Sequence, residues 1–283
     1  MINLPMRVVA GYLRLTAKPT MSTVERARQR IAAVKPPSPP PVSLRRRHEV
    51  RTRQVAGFTC HTVAPGGRRA ALYLHGGSYV SPMARQHWDL VARLADAGVR
   101  VEVPDYGLAP QHTFREAYAL VTAVYRQLLD EVGPAAVTIA GDSAGGGLAL
   151  GFAQTLAAAG LAQPRRLILI APWLDLTLSH PDLPAAEARD PWLCSAGLRE
   201  AGRAWAGGAD PADPRLSPVN GPMDGLAPIH LYIGTRDLLH PDALRLPVSR
   251  LNVGEGAVHV YPLTPTRLGR AASAEIVDLI AAG

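Results

Sequence analysis

The pentapeptide G-D-S-A-G at positions 141–145 lies between two segments of different pattern. Residues 136–140 form a short apolar run that predicts a buried strand, and residues 144–159, rich in Ala and Leu, predict a helix. A serine with glycine two positions before and after it, at the turn from strand to helix, is typical of a nucleophile elbow. Because such a turn leaves almost no room for side chains, the Ser143 hydroxyl is expected to protrude at the edge of a sheet.

A second glycine motif, H-G-G-S-Y at positions 75–79, follows residues 70–74, which predict a buried strand. Its two successive glycines, Gly76 and Gly77, allow backbone N–H groups to point at one spot without interference from a Cβ atom, as an oxyanion hole requires. On its own the motif also fits a plain glycine turn. The serine elbow further along the chain favours the oxyanion interpretation, with His75 bracing the loop by hydrogen bonding.

Apolar periodicity along the rest of the chain alternates between strand and helix. This alternation, with connections of moderate length, predicts an α/β fold with a mostly parallel, doubly wound sheet. Further strands are predicted over residues 48–55, 58–63, 99–103 and 229–234, the first two as an antiparallel pair, and helices over residues 3–16, 22–34, 84–97, 115–131, 242–251 and 266–282. The run K-P-P-S-P-P-P at positions 35–41 predicts an extended connector.

The length of 283 residues suits one α/β domain with additions, and 47% apolar with 19% charged residues excludes wholesale disorder. No apolar run approaches the length of a membrane-spanning helix. The N-terminus lacks the apolar core and cleavage site of a signal peptide, so a cytoplasmic location is expected. Cys60 and Cys194 lie far apart in the sequence and indicate neither a metal site nor a disulfide.

Basic residues are concentrated near the N-terminus. Residues 1–57 contain 12 Lys or Arg and 2 Asp or Glu, whereas the whole chain has a net charge of +7. Tyr12 is the one aromatic residue in this segment, which argues against nucleic-acid binding because aromatic side chains are not interleaved with the basic ones. Two interpretations remain open: a solvated arginine-rich surface, or attraction to an anionic membrane or lipid–water interface.

Several motifs occur in one order along the chain. They are H-G-G with Tyr79, D-Y-G-L-A-P at positions 105–110, G-D-S-A-G-G at 141–146, A-P-W-L-D-L-T at 171–177, Asp190-Pro191 and Leu216-Ser217-Pro218. Together they resemble the hormone-sensitive lipase family of α/β-hydrolases, the bacterial family IV carboxylesterases. The resemblance covers nearly the whole chain from about residue 48.

The resemblance implies an α/β-hydrolase with a central sheet of about eight strands and a helical cap. Residues 1–47 would supply cap helices and the connector, residues 48–283 the catalytic domain, and residues 173–225 a further part of the cap. Ser143 would be the nucleophile, and the oxyanion donors would be backbone N–H groups of Gly76, Gly77, Ser78 and Ala144. Ser78 stands where the family usually has a third glycine, and its backbone donor is retained. The substrates would be short- to medium-chain acyl esters, with no metal or organic cofactor.

A serine hydroxyl needs a base, and the base needs an orienting carboxylate. In this fold the serine is followed first by the acid and then by the histidine, which directs attention to the histidines after Ser143. His259 remains after three others are set aside. These are His180, in a proline-flanked loop, His230, at the start of a strand, and His240, only three residues beyond the candidate acid.

The acid is expected at Asp237, in the loop where the family keeps its Asp; the alternative, a helix cap, suits Asp242 better. Only 22 positions separate Asp237 from His259, about two helical turns fewer than a helix, a turn and a last strand need. With a helix over residues 242–251, residues 251–256 are too short for a complete strand. Either the strand is truncated or the histidine loop is displaced from the serine.

The expected function is hydrolysis of acyl esters through an acyl-enzyme on Ser143. Two alternatives remain open: a hydrolase of bulky lipids, amides or carbamates, and a non-catalytic ligand-binding protein in which His259 is displaced. Residues 173–225 are expected to cover the site, and their tryptophans serve either core packing or contact with the apolar part of a substrate. These are Trp173, Trp192 and Trp205. A homodimer is also left open.

Overall fold

The computed structural model describes residues 3–282. Met1, Ile2 and Gly283, at the ends of the predicted ranges 1–47 and 48–283, lie outside the described residues. Eight strands of the described chain form one sheet. They are β1 (Val50–Val55), β2 (Phe58–Val63), β3 (Arg69–Leu74), β4 (Val99–Pro104), β5 (Val137–Asp142), β6 (Arg166–Ile170), β7 (Ile229–Arg236) and β8 (Arg250–Val258).

The strand order is β1-β2-β4-β3-β5-β6-β7-β8. β2 is antiparallel to both of its neighbours, β1 and β4, whereas the strands from β3 to β8 are parallel to one another. The predicted mostly parallel sheet and its antiparallel opening pair are therefore confirmed. Because parallel strands end at the same edge, the residues after β3, β5, β7 and β8 meet there.

Ten α-helices connect and cover the strands within residues 3–282. They are α1 (Met6–Thr16), α2 (Val24–Ala32), α3 (Val42–Arg47), α4 (Arg85–Asp96), α5 (Phe114–Val132), α6 (Ala144–Thr155), α7 (Leu183–Arg189), α8 (Ser195–Ala206), α9 (His240–Ala243) and α10 (Arg267–Ala281). Helices α4, α5, α6 and α10 pack against sheet strands. All six residues of β5 and the first ten of α6 are buried, so the serine turn lies in the middle of the core.

The N-terminal arm, residues 3–47, contains the two predicted helices as α1 and α2 and the predicted extended connector after them. Short α3 follows the connector and was not predicted. On α2, Ala27 and Ile31 are buried, whereas Val34, at the end of the predicted range, lies beyond the helix and is exposed. Residues 173–225, which show no apolar periodicity as a whole, include α7 and α8.

The predicted helix over residues 242–251 is wrong. Helix α9 has only four residues, and Pro247, which has no N–H to donate, stands where the helix would have to continue. The expectation that residues 251–256 are too short for a strand is wrong for the same reason, because β8 has nine residues and pairs with β7 from Arg250 onward. In this connection the predicted helix is reduced to about one turn, whereas the strand is complete.

Candidate active site

Ser143 occupies the turn between β5 and α6 with φ +51° and ψ −121°. A positive φ is costly for a residue with a Cβ atom, so the surrounding structure must hold it. Two glycines make the turn sterically feasible. A Cβ on Gly141 would lie 2.3 Å from the carbonyl oxygen of Gly145, and a Cβ on Gly145 would lie 2.0 Å from that of Leu74. The spacing of glycines in the motif thus has a steric cause.

The structure brings Ser143, His259 and Asp237 together. His259 Nε2 lies 2.9 Å from Ser143 Oγ, and His259 Nδ1 lies 2.8 Å from Asp237 Oδ2. The second carboxylate oxygen, Oδ1, accepts the N–H of Leu239 at 2.9 Å. The three side chains are buried, with exposures of 7%, 2% and 1%. This arrangement can carry a proton from the serine hydroxyl to an imidazole that a carboxylate orients.

Charges around His259 set its basicity. Burial lowers the pKa of His259, but the charge and hydrogen bond of Asp237 raise it, and the charges of Asp190 and Asp142 add to this effect. The balance leaves the pKa above its ordinary value. A buried imidazole with a raised pKa is a stronger base than one free in water.

The histidines set aside from the sequence lie elsewhere. His180 accepts the N–H of Asp182 through Nδ1, His230 lies at the beginning of β7, and His240 begins α9. The displacement of the His259 loop, which the non-catalytic alternative required, does not occur. The Ser143–His259 distance is that of a hydrogen bond.

Three of the four predicted oxyanion donors are Gly77 and Ser78, in the loop after β3, and Ala144, at the beginning of α6. Ala144 is the first residue of α6, so its N–H has no partner within the helix. Gly77 has φ +125° and Ser78 has φ +56°, which turns this loop sharply after β3. Among the described residues, no hydrogen bond uses the N–H of Gly77 or Ser78. These N–H groups therefore suit an external acceptor.

Gly76 departs from the prediction as an oxyanion donor. Its N–H donates to Asp142 Oδ1 at 3.0 Å, and is thus engaged within the protein. A Cβ at Gly76 would also lie 2.3 Å from Asp142 Oδ2. Gly76 therefore anchors the loop of residues 75–79 to Asp142, the residue before Ser143.

Asp142 also binds two side chains behind the turn. Tyr73 donates its hydroxyl to Oδ1 at 2.6 Å, and His87 Nε2 lies 3.2 Å from Oδ2. Burial raises the pKa of Asp142, but the charge and hydrogen bond of His87 and the hydrogen bond of Tyr73 outweigh it, so the pKa is lowered. Through these contacts Asp142 links the serine turn to β3 and α4.

His75 is the first residue of the loop of residues 75–79 and is completely buried. Its Nδ1 lies 2.7 Å from the carbonyl oxygen of Gly76, and its ring stacks on Tyr106 with centroids 4.4 Å apart. Burial, followed by the charge of His87, lowers the pKa of His75 to about 4. A neutral, stacked imidazole braces the loop, as the sequence indicates.

Aromatic residues support the site from the other side. Tyr79 donates its hydroxyl to the carbonyl oxygen of Ala144 at 2.7 Å and stacks on Trp205, with centroids 4.3 Å apart. Trp173 and Trp205 are fully buried, which fits core packing. Trp192 is half-buried and meets the His259 ring edge-on at 5.5 Å. The sequence singled out the tryptophans without distinguishing these positions.

Residues 71–262, more than half of the chain, match the sequence profile of the alpha/beta hydrolase fold. The chain belongs to this family. This α/β-hydrolase is 38% identical over 188 residues to an acetyl-hydrolase from Streptomyces hygroscopicus and 33% identical over 176 residues to an esterase from Acinetobacter venetianus. The matches cover 66% and 61% of this chain and 63% and 58% of the curated relatives, so this chain spans less than two thirds of their length.

Solved structures resemble this α/β-hydrolase over almost their full length. A hormone-sensitive lipase from a metagenome library has a TM-score of 0.84 at 26% identity, covering 100% of this chain and 99% of that one. An esterase from the bacterial hormone-sensitive lipase family has a TM-score of 0.81 at 26% identity, covering 99% of each chain. The resemblance predicted from the motifs is confirmed.

In the part of the chain that the structure covers, no group of three or more His, Cys, Asp or Glu side chains could hold a metal ion. No helix between residues 3 and 282 is long and apolar enough to cross a membrane.

Proposed function

We propose that this protein is a serine carboxylester hydrolase with Ser143 as nucleophile, His259 as base and Asp237 as the orienting acid. The observation that carries the proposal is the continuous path from Ser143 Oγ to His259 Nε2 at 2.9 Å and from His259 Nδ1 to Asp237 at 2.8 Å. The oxyanion loop beside it supports the same conclusion. Acyl transfer needs a nucleophile, a base that takes its proton and donors for the oxyanion, and these groups are the candidates for the three tasks.

The reaction has two halves. Ser143 Oγ attacks the ester carbonyl carbon while His259 Nε2 takes its proton, and the N–H groups of Gly77, Ser78 and Ala144 hold the resulting oxyanion. The tetrahedral intermediate collapses when His259 returns the proton to the departing alkoxide, which leaves an acyl-enzyme. Water, deprotonated by His259, then attacks the acyl carbon, and His259 returns that proton to Ser143 Oγ as the bond to the acyl group breaks and the acid is released.

Short- to medium-chain acyl esters are the substrates that we propose, because the relatives include an acetyl-hydrolase and esterases. The test is hydrolysis of p-nitrophenyl esters from acetate to palmitate by wild type and by Ser143→Ala, with Ser249→Ala, an exposed serine before β8, as control. We expect Ser143→Ala to lose roughly a millionfold in kcat. Equal rates in wild type and Ser143→Ala would refute the proposal. Faster cleavage of the matching p-nitroanilides would favour the amide alternative.

A lipid–water interface is a second candidate site of action, and α1 carries the observation that favours it. Val8, Tyr12 and Leu15 share one helix face and are 48%, 66% and 80% exposed. Arg7 and Arg14 lie together on the flank of this face, and both are exposed. Apolar residues flanked by arginines are typical of helices that lie in an anionic lipid surface.

Helix α1 packs against the end of β8, next to His259. Val9 and Ala10 on its buried side pack against Val258, the residue before His259. Co-sedimentation with phosphatidylglycerol vesicles tests the idea, with phosphatidylcholine vesicles for comparison. We expect Leu15→Ser to weaken binding roughly tenfold, whereas Leu244→Ser, an exposed leucine outside the arm, leaves it unchanged. Equal binding by the two variants would contradict the proposed surface.

We also propose that the N-terminal arm and residues 173–225 act together as a cap. The two segments are in close contact: Arg28 pairs with Glu200 at 2.8 Å, and a Cβ on Gly197 would lie 2.4 Å from the carbonyl oxygen of Met21. Gly197→Leu should therefore separate the arm from α8. Faster proteolysis of the connector at residues 34–41 in this variant, compared with wild type, is the expected result.

Two expectations remain predictions. The first is the cytoplasmic location, which cell fractionation tests. The second is the homodimer, for which β8 offers the end of the sheet with Leu251 and Val253 both 45% exposed. Light scattering after size-exclusion chromatography measures the oligomeric state.

A further inference from the structure

Asp190 is a second buried carboxylate near the triad, and the reaction described above gives it no task. It follows α7 directly and is fully excluded from solvent. A buried carboxylate lowers stability unless hydrogen bonds or an opposite charge compensate for the loss of water. The groups around Asp190 therefore indicate what it does.

Backbone N–H groups of two separate loops converge on this carboxylate. Oδ1 accepts the N–H of Trp192 at 2.6 Å and of Leu193 at 2.9 Å, both in the loop that follows α7. Oδ2 accepts the N–H of Leu238 at 2.7 Å. Leu238 is the residue directly after Asp237. One carboxylate thus ties the loop after α7 to the loop that carries the candidate acid.

Both loops reach His259. Asp237 contacts its Nδ1, and the Trp192 ring lies edge-on to the imidazole with ring centroids 5.5 Å apart. Three carboxylates from three elements act on the charge of His259: Asp237 after β7, Asp190 after α7 and Asp142 at the end of β5. Burial, then the charge of Asp237, raises the pKa of Asp190 to about 6, and the charge of His259 opposes this rise.

The N-terminal arm reaches the backbone of the same segment through Lys18. Its Nζ donates to the carbonyl oxygen of Asp190 at 2.5 Å and to that of Glu187 at 3.2 Å. Both carbonyl groups lie at the C-terminal end of α7. The last carbonyl groups of a helix have no N–H partner within it and carry its partial negative charge, so a cation there is favourable. Cys194 Sγ contacts the carbonyl oxygen of Lys18 in return, at 3.8 Å. Lys18 therefore fixes the position from which the Asp190 side chain extends.

We propose that Asp190 is a positioning residue for the Asp237–His259 pair, and that Lys18 links the N-terminal arm to it. This inference rests on the proposed function, because it assigns a role relative to the base of that reaction. Asp190 holds the acid loop by Leu238 and keeps Trp192 against His259. Its negative charge favours the protonated imidazole that forms when the serine is deprotonated.

Asp190→Asn tests this role with almost no change in volume. An amide has one acceptor oxygen, so one of the two loops loses its anchor, and the negative charge disappears. We expect kcat to fall by about 10- to 100-fold with little change in KM, as a small misplacement of the base produces. The acid limb of the pH profile, where kcat/KM rises as His259 loses its proton, should move to lower pH by about 0.5–1 unit. The reason is that the remaining charges raise the pKa of His259 less.

Asp182→Asn is the matched control, because Asp182 precedes α7 at its other end and its carboxylate makes no cap hydrogen bond. It should keep the wild-type kcat and acid limb. If Asp190 only stabilised the fold, Asp190→Asn would lower the fraction of folded protein and leave the acid limb of kcat/KM at its wild-type pH. A wild-type kcat, or an unmoved limb, in Asp190→Asn overturns the proposal.

Lys18→Met provides a second test that does not depend on the folding of Asp190→Asn. Lys35→Met is its control, because Lys35 is the other lysine of the chain and donates to carbonyl oxygens of its own arm, such as Ile31. We expect Lys18→Met to lower kcat by about 2- to 10-fold. Equal kcat values for the two lysine variants overturn the link to the arm.

Labelling of Ser143 by a fluorophosphonate separates this inference from the proposed ester substrate. The labelling rate depends on the base but not on recognition of an ester. If wild type is labelled yet hydrolyses no ester, the proposed function fails, and a lower acid limb of labelling in Asp190→Asn still supports the positioning role. If wild type is not labelled at all, both proposals fail.

Discussion

Replacement of Asp237 by Asn tests the geometry of the candidate triad most directly. Asp237 accepts the N–H of Leu239 through Oδ1 and faces His259 Nδ1 through Oδ2. In Asp237→Asn the amide oxygen keeps the contact with Leu239, which turns the NH₂ group toward Nδ1. Nδ1 must then accept a hydrogen bond, so the imidazole proton moves to Nε2. His259 can no longer take the proton of Ser143.

The wrong tautomer should lower kcat strongly and leave the free energy of unfolding almost unchanged. Loss of about 10⁴ in kcat is the effect expected when the acid of such a triad becomes an amide, which corresponds to roughly 5 kcal/mol in the barrier. The side chain keeps its volume in a site where only 1% of the residue is exposed, so no cavity forms. KM should change little, because the acid does not touch the substrate.

The assay is hydrolysis of p-nitrophenyl butyrate at pH 7.5, with folding checked by circular dichroism. Asp242→Asn is the matched control, because Asp242 is equally buried, lies five residues further on, and pairs with Arg245 at 3.1 Å instead of with a histidine. It should keep kcat within about threefold of wild type. If Asp237→Asn retains a tenth or more of the wild-type kcat, or if Asp242→Asn loses more of the wild-type kcat than Asp237→Asn does, Asp237 is not the acid.

Three further predictions concern the turn, its support and the base. Gly145→Ala should lower the free energy of unfolding in urea by about 3 kcal/mol, since its Cβ overlaps backbone, whereas Gly11→Ala on open helix surface should raise it by about 0.5–1 kcal/mol. Tyr79→Phe should lower the same free energy by about 1 kcal/mol, because the buried hydrogen bond to the Ala144 carbonyl is lost, while exposed Tyr12→Phe should change nothing in the same titration. Activity needs neutral His259, whose raised pKa should place the half-maximum of kcat/KM above about pH 6.5; a half-maximum below pH 6 contradicts this.

The sequence was most informative where one residue type solves a local steric problem. Gly141 and Gly145 are required because any Cβ there would overlap backbone atoms, so the turn could be identified without knowing its neighbours. The strand before this turn is buried along its whole length, which makes it a continuous apolar run in the sequence. Both signals are contained within a few consecutive residues.

The last strand, β8, was not predicted at its full length because its sequence has the pattern of a strand at the edge of a sheet. Over its first five residues Leu251 and Val253 lie on the exposed face and Gly254 is buried, so apolar side chains do not mark the inner face there. A strand at the end of a sheet has only one neighbour and needs no continuous apolar run. Hydrogen bonding to β7 determines that residues 250–258 form a strand. The pattern of these residues alone does not indicate which strand they pair with.

The role of Gly76 and the surroundings of Asp190 were missed for a different reason. Gly76 bonds to Asp142, 66 positions away, and Asp190 bonds to Leu238, 48 positions away. The glycine pair and the Asp-Pro dipeptide could be recognised as motifs, but which N–H group is engaged depends on the packing of distant loops. Motif spacing identifies candidate residues, whereas the assignment of each donor needs the fold.

The short Asp237–His259 connection works because its two parts have different geometric tasks. His259 must lie at the carboxyl edge of the sheet, and β8 brings the chain there at about 3.3 Å per residue, so its nine residues cannot be shortened much. The segment before β8 only has to return the chain to the opposite edge, a distance of roughly 30 Å. A helix would need about 20 residues for this distance, at 1.5 Å per residue, whereas an extended chain needs about nine. Reduction of the helix to about one turn therefore shortens the connection without moving the histidine.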